Sequence, residues 1–361
     1  MRIAVVGAGV AGLTAALALQ RDGHEVRVYE QADALRTGGF GLNLWTNAGT
    51  LLTQLGVEIP GEPYDHINFR AGGRHRAVMP MPASGLPHLN VERGRLVRVI
   101  HELLARDTVR FDSAVTRADD LLEAGADLVV AADGVGSRLR PDVDQQQRAG
   151  KPWAVWQAII PTGGELIEPG GGAVSLSARR FYGIWRQPDG ELCWFVEEPS
   201  LPLDATVDEV LARAAGDDDP LVRDVAALTP TGALGQWLAR DRRPTRRMIG
   251  DRTVAIGDAA HPMLPCIGQG ACTSIEDGVA LAIALREPSI ADALNRYRQW
   301  RLPITRTRVA TARLACVLRR PSPVATAVGA TPLGVPFAHV SGAWMRFVNR
   351  PDRRLVAATS A

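Results

Sequence analysis

Ile3-Ala4-Val5-Val6-Gly7-Ala8-Gly9-Val10-Ala11-Gly12-Leu13 is the stretch that decides the fold. The apolar run Ile3 to Val6 predicts a buried strand and Leu13 to Leu19 an apolar helix, with the glycines in the turn between them. Gly7 permits the tight turn, Gly9 lets the backbone approach a pyrophosphate, and Gly12 lets helix and strand pack closely. The helix N-terminus, with Ala11 in its first turn, offers free N–H groups and the positive end of a dipole. A second strand, Glu25 to Tyr29, runs into Glu30 and Gln31. A carboxylate eighteen residues after Gly12 is where the ribose of an adenine dinucleotide needs an acceptor for its hydroxyls. The glycines alone do not say which dinucleotide.

Arg2 followed by an apolar run also imitates a signal peptide. Three glycines at fingerprint spacing interrupt that run, and cleavage would remove the first strand, so the expectation is a mature cytoplasmic chain. Cys193, Cys266, Cys272 and Cys316 are too few and too irregularly spaced for a disulfide framework or a zinc site, and no metal is expected. With 361 residues and 46% hydrophobic content the chain can build two cores. Net charge is +2 and Lys151 is the single lysine beside forty arginines, with no basic block that marks a nucleic-acid footprint. The longest apolar stretch, Val324 to Val348, is broken by Pro332, Pro336, His339 and glycines, so no stable membrane span is expected.

Two further stretches repeat the opening design. Asp127-Leu-Val-Val-Ala-Ala-Asp133-Gly134-Val135-Gly136-Ser137 is an apolar strand running into an Asp-Gly turn. Arg252-Thr-Val-Ala-Ile-Gly257-Asp258 is a buried strand that delivers a carboxylate to its C-terminal end. In open α/β sheets ligands bind beyond those carboxyl ends, so the three motifs converge on one crevice although they are far apart in sequence.

The ordered trio resembles the class A, single-component FAD-dependent aromatic hydroxylases, the monooxygenases related to p-hydroxybenzoate hydroxylase, over most of residues 1 to 300. The resemblance implies FAD as bound cofactor and NAD(P)H as a transient co-substrate. It implies Glu30 at the adenosine ribose, Asp133 at a turn tied to both cofactors, and Asp258 at the ribityl chain. Pro262-Met-Leu-Pro265-Cys-Ile-Gly268-Gln-Gly270 resembles the family's proline and glycine loop, which precedes a helix whose N-terminus faces the flavin pyrimidine. Arg93 opens Arg93-Gly-Arg-Leu96-Val-Arg-Val99-Ile100, similar to the family's Arg-x-x-Leu-x-x-x-Leu helix, and is expected at the FAD phosphates or ribityl. Arg36, before Gly38-Gly39-Phe40-Gly41, matches an arginine near the cofactor, and Val115, after a strand from Val109 to Phe111, is a candidate for packing on adenine.

The fold class so implied is α/β: a Rossmann-like FAD-binding domain, an inserted antiparallel-sheet substrate domain and C-terminal helices. The division expected is 1–65, 86–150 and 241–287 for FAD, 66–85 and 151–240 for substrate, and 288–361 for the helical segment. Alternating runs such as Arg180-Phe-Tyr-Gly-Ile-Trp185 and Glu191-Leu-Cys-Trp-Phe-Val196 read as antiparallel strands. Trp45, Phe181, Trp185 and Trp194, with Trp153 and Trp156, are the candidates to wall a substrate pocket from water. After Pro303 an arginine-rich helix, Thr305 to Arg320, leads into a Pro/Gly-punctuated tail. A monomer or weak homodimer is expected.

The activity implied is hydroxylation of an aromatic or polyketide-like small molecule: NAD(P)H reduces FAD, oxygen adds at flavin C4a, and the distal oxygen of the hydroperoxide passes to an electron-rich carbon. No side chain is assigned as acid, base or nucleophile. Three rivals share the scaffold. A halogenase is disfavoured because Trp153-Ala-Val-Trp156-Gln-Ala-Ile-Ile160-Pro161 has the wrong spacing and residues 1 to 150 contain no lysine. A reductase or dehydrogenase without oxygen insertion, and a non-catalytic FAD-binding protein, remain alternatives.

Overall fold

The computed structural model describes residues 1–38, 40–81, 88–140, 152–177, 180–198, 201–242, 247–318 and 352–359. In chain order the first half contains β1 (Arg2–Val6), α1 (Val10–Arg21), β2 (Glu25–Tyr29), β3 (Gly41–Leu44), α2 (Thr46–Gln54), β4 (Gly61–Ala71), β5 (Arg74–Pro80) and β6 (His88–Glu92). Next come α3 (Arg93–Glu102), β7 (Val109–Arg110), α4 (Ala118–Glu123), β8 (Leu128–Ala131), β9 (Trp153–Ile160), β10 (Gly170–Leu176), β11 (Phe181–Arg186) and β12 (Leu192–Glu197). The remainder is α5 (Val207–Ala215), α6 (Pro220–Leu228), β13 (Gly235–Ala239), β14 (Thr253–Ala255), α7 (Gly270–Ala284), α8 (Ile290–Leu318) and α9 (Arg353–Thr359).

Five strands make a parallel sheet in the order β14-β8-β1-β2-β7. The inner strands β1 and β8 are buried on both faces, which is why Ile3 to Val6 and Leu128 to Ala131 read as unbroken apolar runs. Close approach is built in with glycine. A Cβ at Gly12 would stand 1.9 Å from the Gly7 carbonyl oxygen, and one at Gly278 of α7 would stand 2.8 Å from the Ala15 nitrogen of α1. The carboxyl ends of β1, β8 and β14 therefore open toward one side, flanked by the N-termini of α1 and α7.

The second sheet has nine strands, in the order β13-β9-β12-β11-β10-β4-β6-β3 with β5 added to β4. It reaches beyond residues 66–85 and 151–240, taking in β3, the start of β4, and β6. It also departs from pure antiparallel pairing: β10 lies parallel to β4, with Val174 opposite Phe69. One face carries Trp156, Tyr182, Ile184 and Trp194 into a core closed by α5 and α6. The other face presents Trp153, Gln157, Phe181, Trp185, Phe195 and Glu197, their alternates along the same strands.

Helix α8 does not begin after Pro303 but runs through it. Pro303 lacks the N–H that would bond the preceding turn, a cost of roughly 3 kcal/mol in a helix interior. Tertiary bonds on both sides of the proline outweigh it: Arg301 Nε donates to Asp277 at 2.7 Å and Arg308 Nη2 to Glu276 Oε1 at 3.0 Å, both on α7. The expected tail, Val324 to Val348 included, lies outside the described residues. Helix α9 returns against α2 and α7, burying Leu355 and giving its Val356 carbonyl to Gln54 Nε2 at 3.0 Å.

Candidate active site

Residues Glu30, Arg36 and Asp258 come from separate elements, and each lies near enough to Arg93 to act on its charge. Gly7 takes φ +107° where a Cβ would lie 2.4 Å from the Ala132 carbonyl oxygen, so the first turn is pressed against the end of β8. Gly9 is the opposite case: a Cβ there would meet only the Arg93 guanidinium, at 4.0 Å. The space above Gly9 is open, and uncapped N–H groups of Val10, Ala11 and Gly12 in the first turn of α1 point into it. Glu30 holds the turn from the other strand, accepting from Ala8 N at 2.8 Å and Ala32 N at 3.0 Å. Gln31 beside it is exposed, and Val115 packs half-buried against the main core.

Arg93 opens α3 and reports how near these groups lie. Burial and the Arg36 charge lower its guanidinium pKa, while Asp258 and Glu30 oppose them. Its Nη1 also donates to the Arg36 carbonyl at 3.4 Å. The contact rests on Gly94, where a Cβ would fall 1.7 Å from the Thr37 carbonyl oxygen, so the loop that follows β2 lies directly on the first turn of α3.

Asp133 closes the second motif by accepting from Arg138 N at 3.1 Å, and its other oxygen is buried without a protein partner. Asp258 is accessible, yet the protein crowds around it, as expected of a side chain lining a cleft. That crowding raises its carboxyl pKa, against the pull of His261, Arg242 and Arg93. Pro265 starts a short 3₁₀ turn, Gly268 follows at φ +62°, and Gly270 begins α7. Trp45 secures this loop through Nε1, which donates to the Gly268 carbonyl at 3.1 Å. Trp45 packs edge-on against His88, which burial lowers to about 4, leaving a neutral ring whose Nδ1 accepts from Thr46 N at 3.3 Å.

The inner face of the large sheet borders the same space. Gln157 Nε2 donates to the Gly41 carbonyl at 3.0 Å, Phe40 lies against Gly235, and Cys266 Sγ comes within 4.0 Å of Glu197 Oε2. Trp185 lies flat across Gly172 and Gly183, where a Cβ would meet its indole at 2.4 and 2.3 Å. It stacks on Phe195 with centroids 5.6 Å apart, and Phe181 adjoins Phe195 at 5.9 Å. Trp194 and Trp156 do not belong to this wall. They occupy the alternate register and face α5 and α6, Trp194 Nε1 donating to Thr229 Oγ1 at 3.0 Å. Alternation separates the two faces but does not say which one meets the crevice.

A buried ionic network behind the crevice was missed by the sequence reading. Asp277 Oδ2 accepts from the Gly257 backbone at 2.9 Å and pairs with His261, while its Oδ1 takes Arg301. Glu276 pairs with Arg301 Nη1 at 2.8 Å and with Arg308, and accepts from Asn47 Nδ2 at 2.6 Å. Burial alone would raise both carboxyls, but Arg308 and Arg301 hold Glu276 at about 2, and His261 and Arg301 hold Asp277 at about 2. The network pins the turn that presents Asp258 to helices α7 and α8. Its signal was available: Glu276-Asp277 interrupts an apolar helix, and Arg301 and Arg308 stand seven residues apart, on one helical face. One further link is a disulfide between Cys266 and Cys316. Few and irregularly spaced cysteines predict no disulfide framework, yet one bridge forms across 50 residues, because the fold and not the spacing brings the two sulfurs together.

Residues 90–312 match the family model described as FAD binding domain, and residues 5–39 one described as NAD(P)-binding Rossmann-like domain. The chain is 31% identical over 360 residues to the FAD-dependent urate hydroxylase of Klebsiella pneumoniae subsp. pneumoniae, covering 88% of this chain and 90% of that protein. It is 28% identical over 329 residues to the aurachin C monooxygenase/isomerase of Stigmatella aurantiaca, covering 84% and 85%. Its fold matches a Klebsiella pneumoniae protein crystallised with FAD and uric acid at TM-score 0.81 and 24% identity, over 100% of this chain and 96% of the other. The match extends along nearly the whole length of both chains, and the chain belongs to the class A FAD-dependent aromatic hydroxylases, monooxygenases that work with NAD(P)H and molecular oxygen.

Proposed function

We propose that the crevice holds FAD with its pyrophosphate between Gly9, the first turn of α1 and Arg93, and that the enzyme hydroxylates an electron-rich aromatic small molecule against the Trp185 face. The observation that carries this reading is the open space above Gly9, bounded by uncapped N–H donors on one side and a guanidinium on the other. Each Glu30 oxygen accepts one N–H and keeps a lone pair for a ribose hydroxyl. Asp258 is placed to accept from the ribityl chain. Asp133 offers its unbonded oxygen at the neighbouring turn. The loop Pro265 to Gly270 and the N-terminus of α7 favour developing negative charge on the flavin pyrimidine. Arg36 and Val115 flank the adenosine half.

FAD supplies reduction of oxygen and its transfer to carbon when bound. The protein contributes placement, electrostatics and dryness. Trp185, Phe195 and Phe181 exclude water from the reacting carbon and offer a flat apolar surface to an aromatic ring. NAD(P)H visits transiently, and no side chain is required as nucleophile. The chain works in the cytoplasm as a monomer or weak homodimer; among the described residues no helix is long and apolar enough to cross a membrane.

The test is purification, a visible spectrum, and oxidation of NADH and NADPH with a panel of phenols and hydroxylated heterocycles, using wild type and Arg93→Ala. Wild type should be yellow and give an oxygenated product, and Arg93→Ala should bind FAD at least about tenfold more weakly, the loss of one charge-assisted contact. A colourless protein that does not take up FAD overturns the reading.

A further inference from the structure

Cys266 and Cys316 stand in places that make their bond more than a staple. Their Cα atoms are 5.6 Å apart, well inside the disulfide range of about 4.4–6.8 Å. Cys266 occupies the 3₁₀ turn Pro265–Ile267 that leads to Gly268 and the N-terminus of α7, the loop assigned above to the flavin. Cys316 lies two residues before the end of α8. Apart from this bond, a small apolar cluster of Met263, Ile267, Val309 and Ala312 ties the loop to that helix. The bond thus adds a covalent tie within the loop to the ionic one that fixes its ends at His261 and Thr273.

Cys193 and Cys272 lie outside this bridge. They are buried free thiols, pushed by burial up to about 11 and about 12, and so stay protonated at neutral pH. Cys266 and Cys316 are buried as well, which keeps bulky reductants away unless the loop opens. Hydrogen peroxide is small enough to reach them, and it is released whenever a monooxygenase reduces oxygen without transferring it. Disulfides are rare in the cytoplasm, and those that occur there are usually transient and redox-sensing.

We propose that Cys266–Cys316 is a redox-reversible modification site, written by hydrogen peroxide and read as the tightness with which the loop before α7 holds FAD. The proposal rests on the placement of FAD given above. In the step, one thiol is oxidised by peroxide to a sulfenic acid with loss of water, and the second thiol displaces a second water to form the S–S bond. Two thiols lose two electrons and two protons, the O–O bond breaks, and two waters carry the oxygens away. Uncoupled turnover thus locks the loop, and a dithiol reductant releases it.

The experiment uses the full-length flavoprotein. Thiols are counted with Ellman's reagent in denaturant after peroxide and after dithiothreitol, and FAD affinity of each form is read by flavin fluorescence. Two titratable thiols after peroxide and four after dithiothreitol are expected, with FAD bound at least about tenfold more weakly by the reduced form, equivalent to about 1.4 kcal/mol. Cys316→Ser and Cys316→Ala should match the reduced form whether or not peroxide is added. Four thiols after peroxide, or equal FAD affinity in the two states of wild type, overturns the proposal. Failure of both states to take up FAD instead overturns the flavin assignment beneath it, and the thiol count still records whether the bridge exists.

Discussion

Gly94→Ala is expected to weaken the cofactor site while leaving the fold intact. The loop carrying Arg36 and Thr37 crosses the first turn of α3 at a point where a Cβ would be 1.7 Å from the Thr37 carbonyl oxygen. Ordinary contact between carbon and oxygen is about 3.4 Å, so the loop must retreat by about 1.7 Å. The Arg36 carbonyl would then leave Arg93 Nη1, which it now meets at 3.4 Å, and Arg93 would lose its brace toward the open space above Gly9. Overpacking of this kind costs about 1–3 kcal/mol. If most of that falls on the crevice, FAD binds roughly 5- to 150-fold more weakly. Fluorescence titration of the apoprotein with FAD measures it, alongside circular dichroism to show that the helices remain. Gly49→Ala is the control: nothing lies within 4 Å of a Cβ there, and replacing glycine in α2 should stabilise by about 0.5–1 kcal/mol without touching FAD affinity. Wild-type FAD affinity in Gly94→Ala, with the helices intact, refutes the argument that this loop braces Arg93.

The ionic network predicts a pH dependence. Glu276 is held at about 2 against an ordinary 4.5, so the unfolded chain takes up its proton first as pH falls. Stability from this group is complete above about pH 4.5 and is lost between there and about pH 2, on the order of 3 kcal/mol in all. Urea midpoints between pH 7 and pH 3 should fall less steeply for Glu276→Gln than for wild type, and Glu276→Gln should already be about 3 kcal/mol less stable at pH 7 because Arg301 and Arg308 lose one of the two carboxylates that neutralise them in the core; parallel slopes would contradict this. The two faces of the large sheet should separate by assay. Trp194→Phe removes the bond to Thr229 and should cost about 1 kcal/mol of stability with KM for the aromatic substrate unchanged. Gly183→Ala, whose Cβ would fall 2.3 Å from the Trp185 ring, should instead raise KM; the reverse pattern would exchange the faces.

The parts of the site that could be read from residues alone are those made by short-range rules. A strand, a glycine turn and a helix N-terminus are contiguous, so the positive φ of Gly7 and the clash of a Gly12 side chain with the Gly7 carbonyl are written into a six-residue window. The same holds for Asp133 and Asp258, each at the end of an apolar strand whose partners lie in a parallel sheet. What could not be read is set by which distant surface each face meets. Phe195 and Trp194 are neighbours in sequence with nearly the same composition around them, yet one stacks on Trp185 over the crevice and the other bonds Thr229 beneath α6. Period two assigns them to opposite faces, and only the docking of α5 and α6 decides which face is covered. Pro303 follows the same logic: local chemistry says the helix should stop, and bonds from Arg301 and Arg308 to α7 keep it going. Gly94 joins the two cases. Its intolerance of a side chain comes from Thr37, 57 residues earlier, so the glycine next to a recognised arginine carries a constraint that no local window contains. In this fold the cofactor-facing geometry is specified locally and its bracing is specified at long range. Substitutions that spare every motif residue can therefore still empty the crevice.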